Sequence, residues 1–106
     1  MCATAMVGRL SRSGMEACRR GEFEEAGLRL QEALKLVQGK GSCSEVKLHS
    51  NLGIVYELQG RFKDALHHYG KAMQAINGKT PATHPFHARL IESMARISSS
   101  HPEIRL

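Results

Sequence analysis

Shifted against itself by 39 residues, the sequence returns eight identities in the 33 positions from 8 to 40. They are Ser11/Ser50, Gly14/Gly53, Gly21/Gly60, Phe23/Phe62, Ala26/Ala65, Ala33/Ala72, Gly39/Gly78 and Lys40/Lys79. Typical residue usage would give about two by chance. Ala17/Tyr56, Leu30/Tyr69 and Val37/Ile76 keep apolar character as well. Two copies of one unit and a tail therefore make up the chain, and a unit this short buries its apolar side only by stacking on its neighbour.

Each unit reads as helical. In residues 61–77, Phe62, Ala65, Leu66, Tyr69, Ala72, Met73 and Ile76 recur at steps of three and four, as Phe23, Ala26, Leu30, Ala33, Leu34 and Val37 do in residues 22–38. Glu22, Glu24 and Glu25 favour a helix start, and Gly39 and Gly78 a helix end. The helices before these stripes, 5–20 and 43–59, stop at Gly21 and Gly60, so a one- or two-residue turn forces an antiparallel hairpin. Val46, Leu48, Leu52, Val55 and Tyr56 supply the contact in the second hairpin, with Ser42 or Ser44 as N-cap; Met6, Leu10 and Ala17 supply it in the first. Gly14 and Gly53, in mid-helix, mark places where another helix passes too close for a side chain. A fifth helix runs over 85–98, opened by Pro85 and ended by Ser98-Ser99-Ser100 and Pro102, with Leu90, Ile91, Met94, Ala95 and Ile97 apolar. No segment alternates long enough to be a strand. The expectation is all-α: two hairpins plus one helix.

With 106 residues there is room for one small domain, and 42% hydrophobic with 24% charged residues is a globular balance. No apolar run reaches the roughly 20 residues of a membrane span, and residues 1–7 are too short and uncharged for a secretory signal. Cys2, Cys18 and Cys43, an odd number without paired spacing, suit a reducing, cytoplasmic setting. The surplus of 15 Lys+Arg over 10 Asp+Glu favours an acidic partner, but no basic run exceeds Arg19-Arg20 and no Trp is present, so nucleic acid is not expected. The six histidines, among them His67, His68, His84 and His87, find no Cys or carboxylate at ligand spacing, so no metal is implied. Gly78-Lys79-Thr80 resembles the end of a phosphate-binding loop, but Met73 stands where the earlier glycine belongs and no strand precedes it. Cys18 has no recognisable base. No catalytic constellation and no cofactor follow, and an enzyme is not expected.

Leu52-Gly53-x-x-Tyr56, then Gly60, then Ala65-x-x-x-Tyr69-x-x-Ala72, resembles the tetratricopeptide repeat, departing only at the opening aromatic, where His49 stands. The first copy keeps Gly14, Ala17, Gly21, Ala26, Leu30 and Ala33, with Ser13 in place of the leucine. The spacing of 39 exceeds the family's usual 34. In that, and in Thr83-His84-Pro85 leading into the last helix, it is similar to kinesin light chains and spindle-orientation adaptors. The resemblance implies an α-solenoid: repeat one about 5–38, repeat two about 43–77, and a partial third repeat or capping helix about 85–98. It implies a right-handed superhelix whose inner wall, lined by the first helix of each pair, holds a partner's peptide or helix.

On that reading the wall carries Ser11, Arg12, Met15, Cys18 and Arg19 from the first copy, and Lys47, Ser50, Asn51, Ile54, Glu57 and Leu58 from the second. The fifth helix adds Phe86, Arg89, Leu90, Ser93, Arg96 and Ile97. Arg12, Arg19, Lys47, Arg89 and Arg96 outnumber Glu57, so an acidic, partly apolar segment is the expected ligand, anchored on Met15, Ile54 and Leu90. Asn51 can both donate to and accept from a peptide backbone, a use the family often makes of it. Chaperone-tail binders of the family clamp a terminal carboxylate with a lysine and a second asparagine; Ser11 and Met15 stand at those places and disfavour that subtype. The alternative is a structural role. Two and a half repeats fall short of the usual three, and Leu90, Ile91, Met94 and Ile97 would leave the end helix apolar on both sides, open to self-association.

Overall fold

A computed structural model describes residues 2–37, 43–79 and 85–104. Five helices follow one another: α1 (Cys2–Arg19), α2 (Phe23–Val37), α3 (Cys43–Leu58), α4 (Phe62–Lys79) and α5 (Pro85–Ser100). No strand occurs among the described residues. Each helix packs on the next, and α1 also touches α3, as in stacked hairpins. The architecture is an all-α helical-repeat solenoid, as the periodicity requires.

The two turns are built alike. Gly21 and Gly60 both have φ of 80°. The amide of Gly21 donates to Cys18 O at 3.0 Å and that of Glu22 to Ala17 O at 2.9 Å; Gly60 donates to Glu57 O at 3.0 Å and Arg61 to Tyr56 O at 2.8 Å. These paired bonds satisfy the last carbonyls of α1 and α3 and need a left-handed residue, which glycine supplies without a Cβ clash. Three residues then separate each helix from its partner, so the hairpins are tight.

Two apolar clusters fill the interior. Val7, Ala17, Ala26, Leu30, Ala33 and Leu34 of the first hairpin meet Leu48, Leu52 and Val55 of α3. Val46, Ala65, Leu66, Tyr69, Ala72 and Ile76 meet Leu90 and Ile97 of α5. Helix α3 is thus apolar on two sides, and Tyr56 packs against both clusters. Its hydroxyl accepts from Gln31 Nε2 at 3.2 Å, tying the hairpins together. The mid-helix glycines sit at the closest approaches. A Cβ on Gly53 would lie 2.6 Å from Tyr69 Cδ1, and one on Gly14 would lie 3.0 Å from Leu30 Cγ.

Several boundaries and exposures differ from the sequence expectation. Helix α1 starts at Cys2, and α5 runs on through all three serines to Ser100. Helix α4 continues through Gly78 to Lys79 instead of ending there, and Ser44 lies inside α3 rather than capping it. Gly39, Ser42, Thr83 and His84 lie outside the described residues. Met6 is exposed, and Val7 takes the buried position in its place. Helix α5 is less open than its composition suggests. Leu90 and Ile97 are buried and Met94 packs on the core, because α4 and the following Ile104 cover that side; Ile91 alone of the four is exposed.

Both departures from the repeat pattern find a partner at one place in the second helix. Ser13, where leucine is expected, accepts from Arg29 Nη1 at 2.7 Å, and Arg29 is held by Glu25 at 2.6 Å. His49, where an aromatic is expected, is buried and stacks on His68, with ring centroids 5.2 Å apart and the two Nδ1 atoms at 2.9 Å. Arg29 and His68 are themselves 39 residues apart. His68 therefore packs inward on α3, and one ring of the pair must donate to the other.

Candidate functional site

The residues at steps of three and four along α3, namely Lys47, Ser50, Asn51 and Ile54, share one face of that helix. That face meets Ser11 of α1 and Phe86, Arg89, Leu90 and Ser93 of α5 in a cleft of about 480 Å³, with Tyr69 of α4 at its floor. A second cleft of about 320 Å³ adjoins it, sharing Ser11 and Lys47 and adding Val7, Gly8, Arg12, Ser44 and Leu48. The first helix of each pair lines the surface, as the resemblance implies. Among the described residues, no Asp or Glu lines either cleft.

Lys47, Asn51, Ile54 and Arg89 come together in the larger cleft and Arg12 in the smaller. Arg12, Lys47 and Arg89 are exposed and form no ion pair among the described residues. The Arg89 guanidinium lies 5.7 Å from the Phe86 ring centroid, a cation–π contact that holds it at the mouth. Ile54 is 39% exposed and offers an apolar surface between the cations. Asn51 is half-buried, with its amide uncommitted among the described residues.

Six expected wall residues are placed differently. Arg96 binds Glu57 through Nε and Nη2, each at 3.0 Å. Glu57 also accepts from the Tyr69 hydroxyl at 2.9 Å, and Ser93 hydrogen-bonds that same phenol. Burial, and then the carboxylate beside it, push the Tyr69 hydroxyl well above its ordinary pKa, so it stays a donor. Arg96 is therefore a clasp joining α5 to α3 and not a free cation. Arg19 pairs with Glu16 on its own helix, and Met15 packs against the first core cluster. Leu58 is exposed and lines neither cleft. Cys18 and Ile97 are buried, so neither reaches a ligand there; burial also raises the Cys18 thiol, the reverse of activation.

Helical spacing puts Ser50 on the wall but gives it no bonding role. It is 6% exposed, lines the larger cleft, and its hydroxyl bonds to nothing among the described residues. Its repeat across 39 residues, Ser11/Ser50, was the available signal. A larger depression of about 730 Å³ lies beside the first turn and the start of α2. It is open, and both of its cations are matched within it, Arg20 with Glu22 and Arg29 with Glu25, with Glu24 the further charge in its lining. The cations that lack an ion pair among the described residues, Arg12, Lys47 and Arg89, are in the smaller clefts.

The family model for the tetratricopeptide repeat matches residues 10–78. Neither the curated proteins nor the solved structures give a significant match. The match covers both hairpins, though it does not reach α5 or bear on the likeness to kinesin light chains. Repeats of this kind generally serve as non-catalytic protein–protein interaction modules. The repeated glycine and alanine positions, the two matched hairpin turns and the stacked helix pairs all agree with it: the chain belongs to the tetratricopeptide repeat family.

Proposed function

We propose that the protein is a non-enzymatic binding module that takes an acidic, partly apolar segment of a partner protein into the cleft between α1, α3 and α5. The observation that carries this is the set of cations Arg12, Lys47 and Arg89 around Ile54 and Phe86, with no ion pair and no lining carboxylate among the described residues. Exposed cations seldom stabilise a fold, but they steer and hold a negatively charged chain. Asn51 sits at mid-cleft to bond the ligand's backbone. A cytoplasmic setting belongs to the same proposal and rests on the odd cysteine count. Self-association through the end helix draws less support, because Leu90 and Ile97 are already covered.

The test is reversal of charge at Arg12→Glu, Lys47→Glu and Arg89→Glu together. Binding of a fluorescent peptide pool, degenerate in Asp, Glu, Leu and Phe, is read by anisotropy. Capture should fall at least about tenfold, with helical content and melting temperature kept. Equal capture by the reversed protein discards the proposal.

A further inference from the structure

The cleft's donor set is richer than a carboxylate can use. Around one space stand the ammonium of Lys47 and the guanidinium of Arg89, with the Ser11 hydroxyl and the Asn51 amide. The hydroxyl of Ser50 is a further, independent sign. It is buried in the lining with no partner among the described residues, although a mid-helix serine readily bonds the carbonyl four residues back. A buried hydroxyl left unbonded is costly, and a ligand oxygen would satisfy it. A side-chain carboxylate brings one negative charge and two oxygens. A phosphorylated side chain brings nearly two charges and three acceptor oxygens, which matches two cations and several neutral donors better.

Resting on the reading of this cleft as an acidic-segment site, we infer that its preferred occupant is a peptide bearing a phosphorylated serine or threonine. The phosphate lies between Lys47 and Arg89 with Ser50 and Asn51 donating to it. Ile54 and Phe86 receive an apolar side chain beside the phosphate, which favours a peptide over a bare polyanion. Arg12, in the adjoining cleft, sits where a second acidic residue of the ligand would pass.

The test uses three matched peptide pools in which a central phosphothreonine, glutamate or threonine is flanked by degenerate acidic and apolar positions. Anisotropy at constant ionic strength should show the phosphothreonine pool binding at least about tenfold tighter than the glutamate pool, with the threonine pool weakest. Arg89→Glu and Ser50→Ala should each bring the phosphothreonine pool down towards the affinity of the glutamate pool. In parallel, inorganic phosphate should shift the backbone amides of Lys47, Ser50 and Asn51 saturably in NMR spectra, and acetate should not. Equal binding of the phosphothreonine and glutamate pools overturns the phosphate assignment while leaving the acidic-segment site intact. Failure of every pool to bind overturns both. A short single-stranded DNA binding as tightly as the phosphothreonine pool reassigns the site to nucleic acid and overturns the peptide assignment.

Discussion

Replacing Gly53 by alanine tests the packing on which the cleft depends. The new Cβ would sit 2.6 Å from Tyr69 Cδ1 and 2.8 Å from Cζ, well inside van der Waals contact. Tyr69 cannot swing aside cheaply. It is 1% exposed, and its hydroxyl is held by Glu57, itself gripped by Arg96. Forcing a methyl into such a place costs about 1–3 kcal/mol, and shifting the phenol off Glu57 adds about 1 kcal/mol. The better helix propensity of alanine returns about 1 kcal/mol. The expected net loss is about 2 kcal/mol, or a melting temperature lower by roughly 8–16 °C for a chain of this size. Gly14→Ala is the matched control. Its Cβ meets the Leu30 side chain at 3.0 and 3.2 Å and Ala26 O at 3.3 Å, longer contacts than those at Gly53, although Leu30 is itself fully buried. That variant should stay within about 1 kcal/mol of the parent. Thermal unfolding followed by circular dichroism at 222 nm reads both. A Gly53→Ala protein as stable as Gly14→Ala would refute the reasoning.

Other variants probe separate parts of the fold. Gly70→Ala, whose Cβ meets nothing within 4 Å, should gain up to about 1 kcal/mol from helix propensity and raise the melting temperature. Gly60→Ala, at φ 80°, should cost about 1–2 kcal/mol despite open space around it, and a higher melting temperature would contradict the turn geometry. Burial, then the neighbouring His49 and His67, lower His68 from 6.5 to about 4, and burial lowers His49 too; Asp64 opposes and Lys71 adds to the lowering at His68. The unfolded chain therefore binds more protons between pH 6.5 and 4, so stability is full above pH 6.5 and falls as the pH drops through that window. Discounted for the partly exposed His68 ring, the loss at pH 4.5 is about 1–2 kcal/mol, and His68→Gln should melt with a shallower pH slope than the parent. Arg96→Ala should cost about 1 kcal/mol or less, since its side chain is half exposed, and should leave acidic-peptide binding intact where Arg89→Ala weakens it.

Much of this was legible in the residues, and the failures share a cause. The glycine and alanine pairs at the 39-residue spacing record backbone proximity, which a repeat must preserve, so the hairpins and their nesting could be read directly. Lys47, Asn51 and Ile54 follow from helical spacing once α3 is known to line the surface. Spacing places a side chain on a face but says nothing about what lies across from it. Glu57 and Arg96 are equivalent positions in successive helices, 39 residues apart and of opposite sign, so stacking brings them together. Leu90 and Ile97 likewise sit at wall positions by register, yet α5 turns them into the core. His49 and Ser13 look like damage to the pattern until His68 and Arg29 are seen opposite them.

The most direct measurement is an amide chemical-shift map of the ¹⁵N-labelled protein, titrated with the tightest-binding member of the acidic peptide pools. Perturbations should gather on Ser11, Lys47, Asn51, Ile54 and Arg89. Perturbations centred instead on Phe23, Leu28 and Gln59, around the depression beside α2, would contradict that placement.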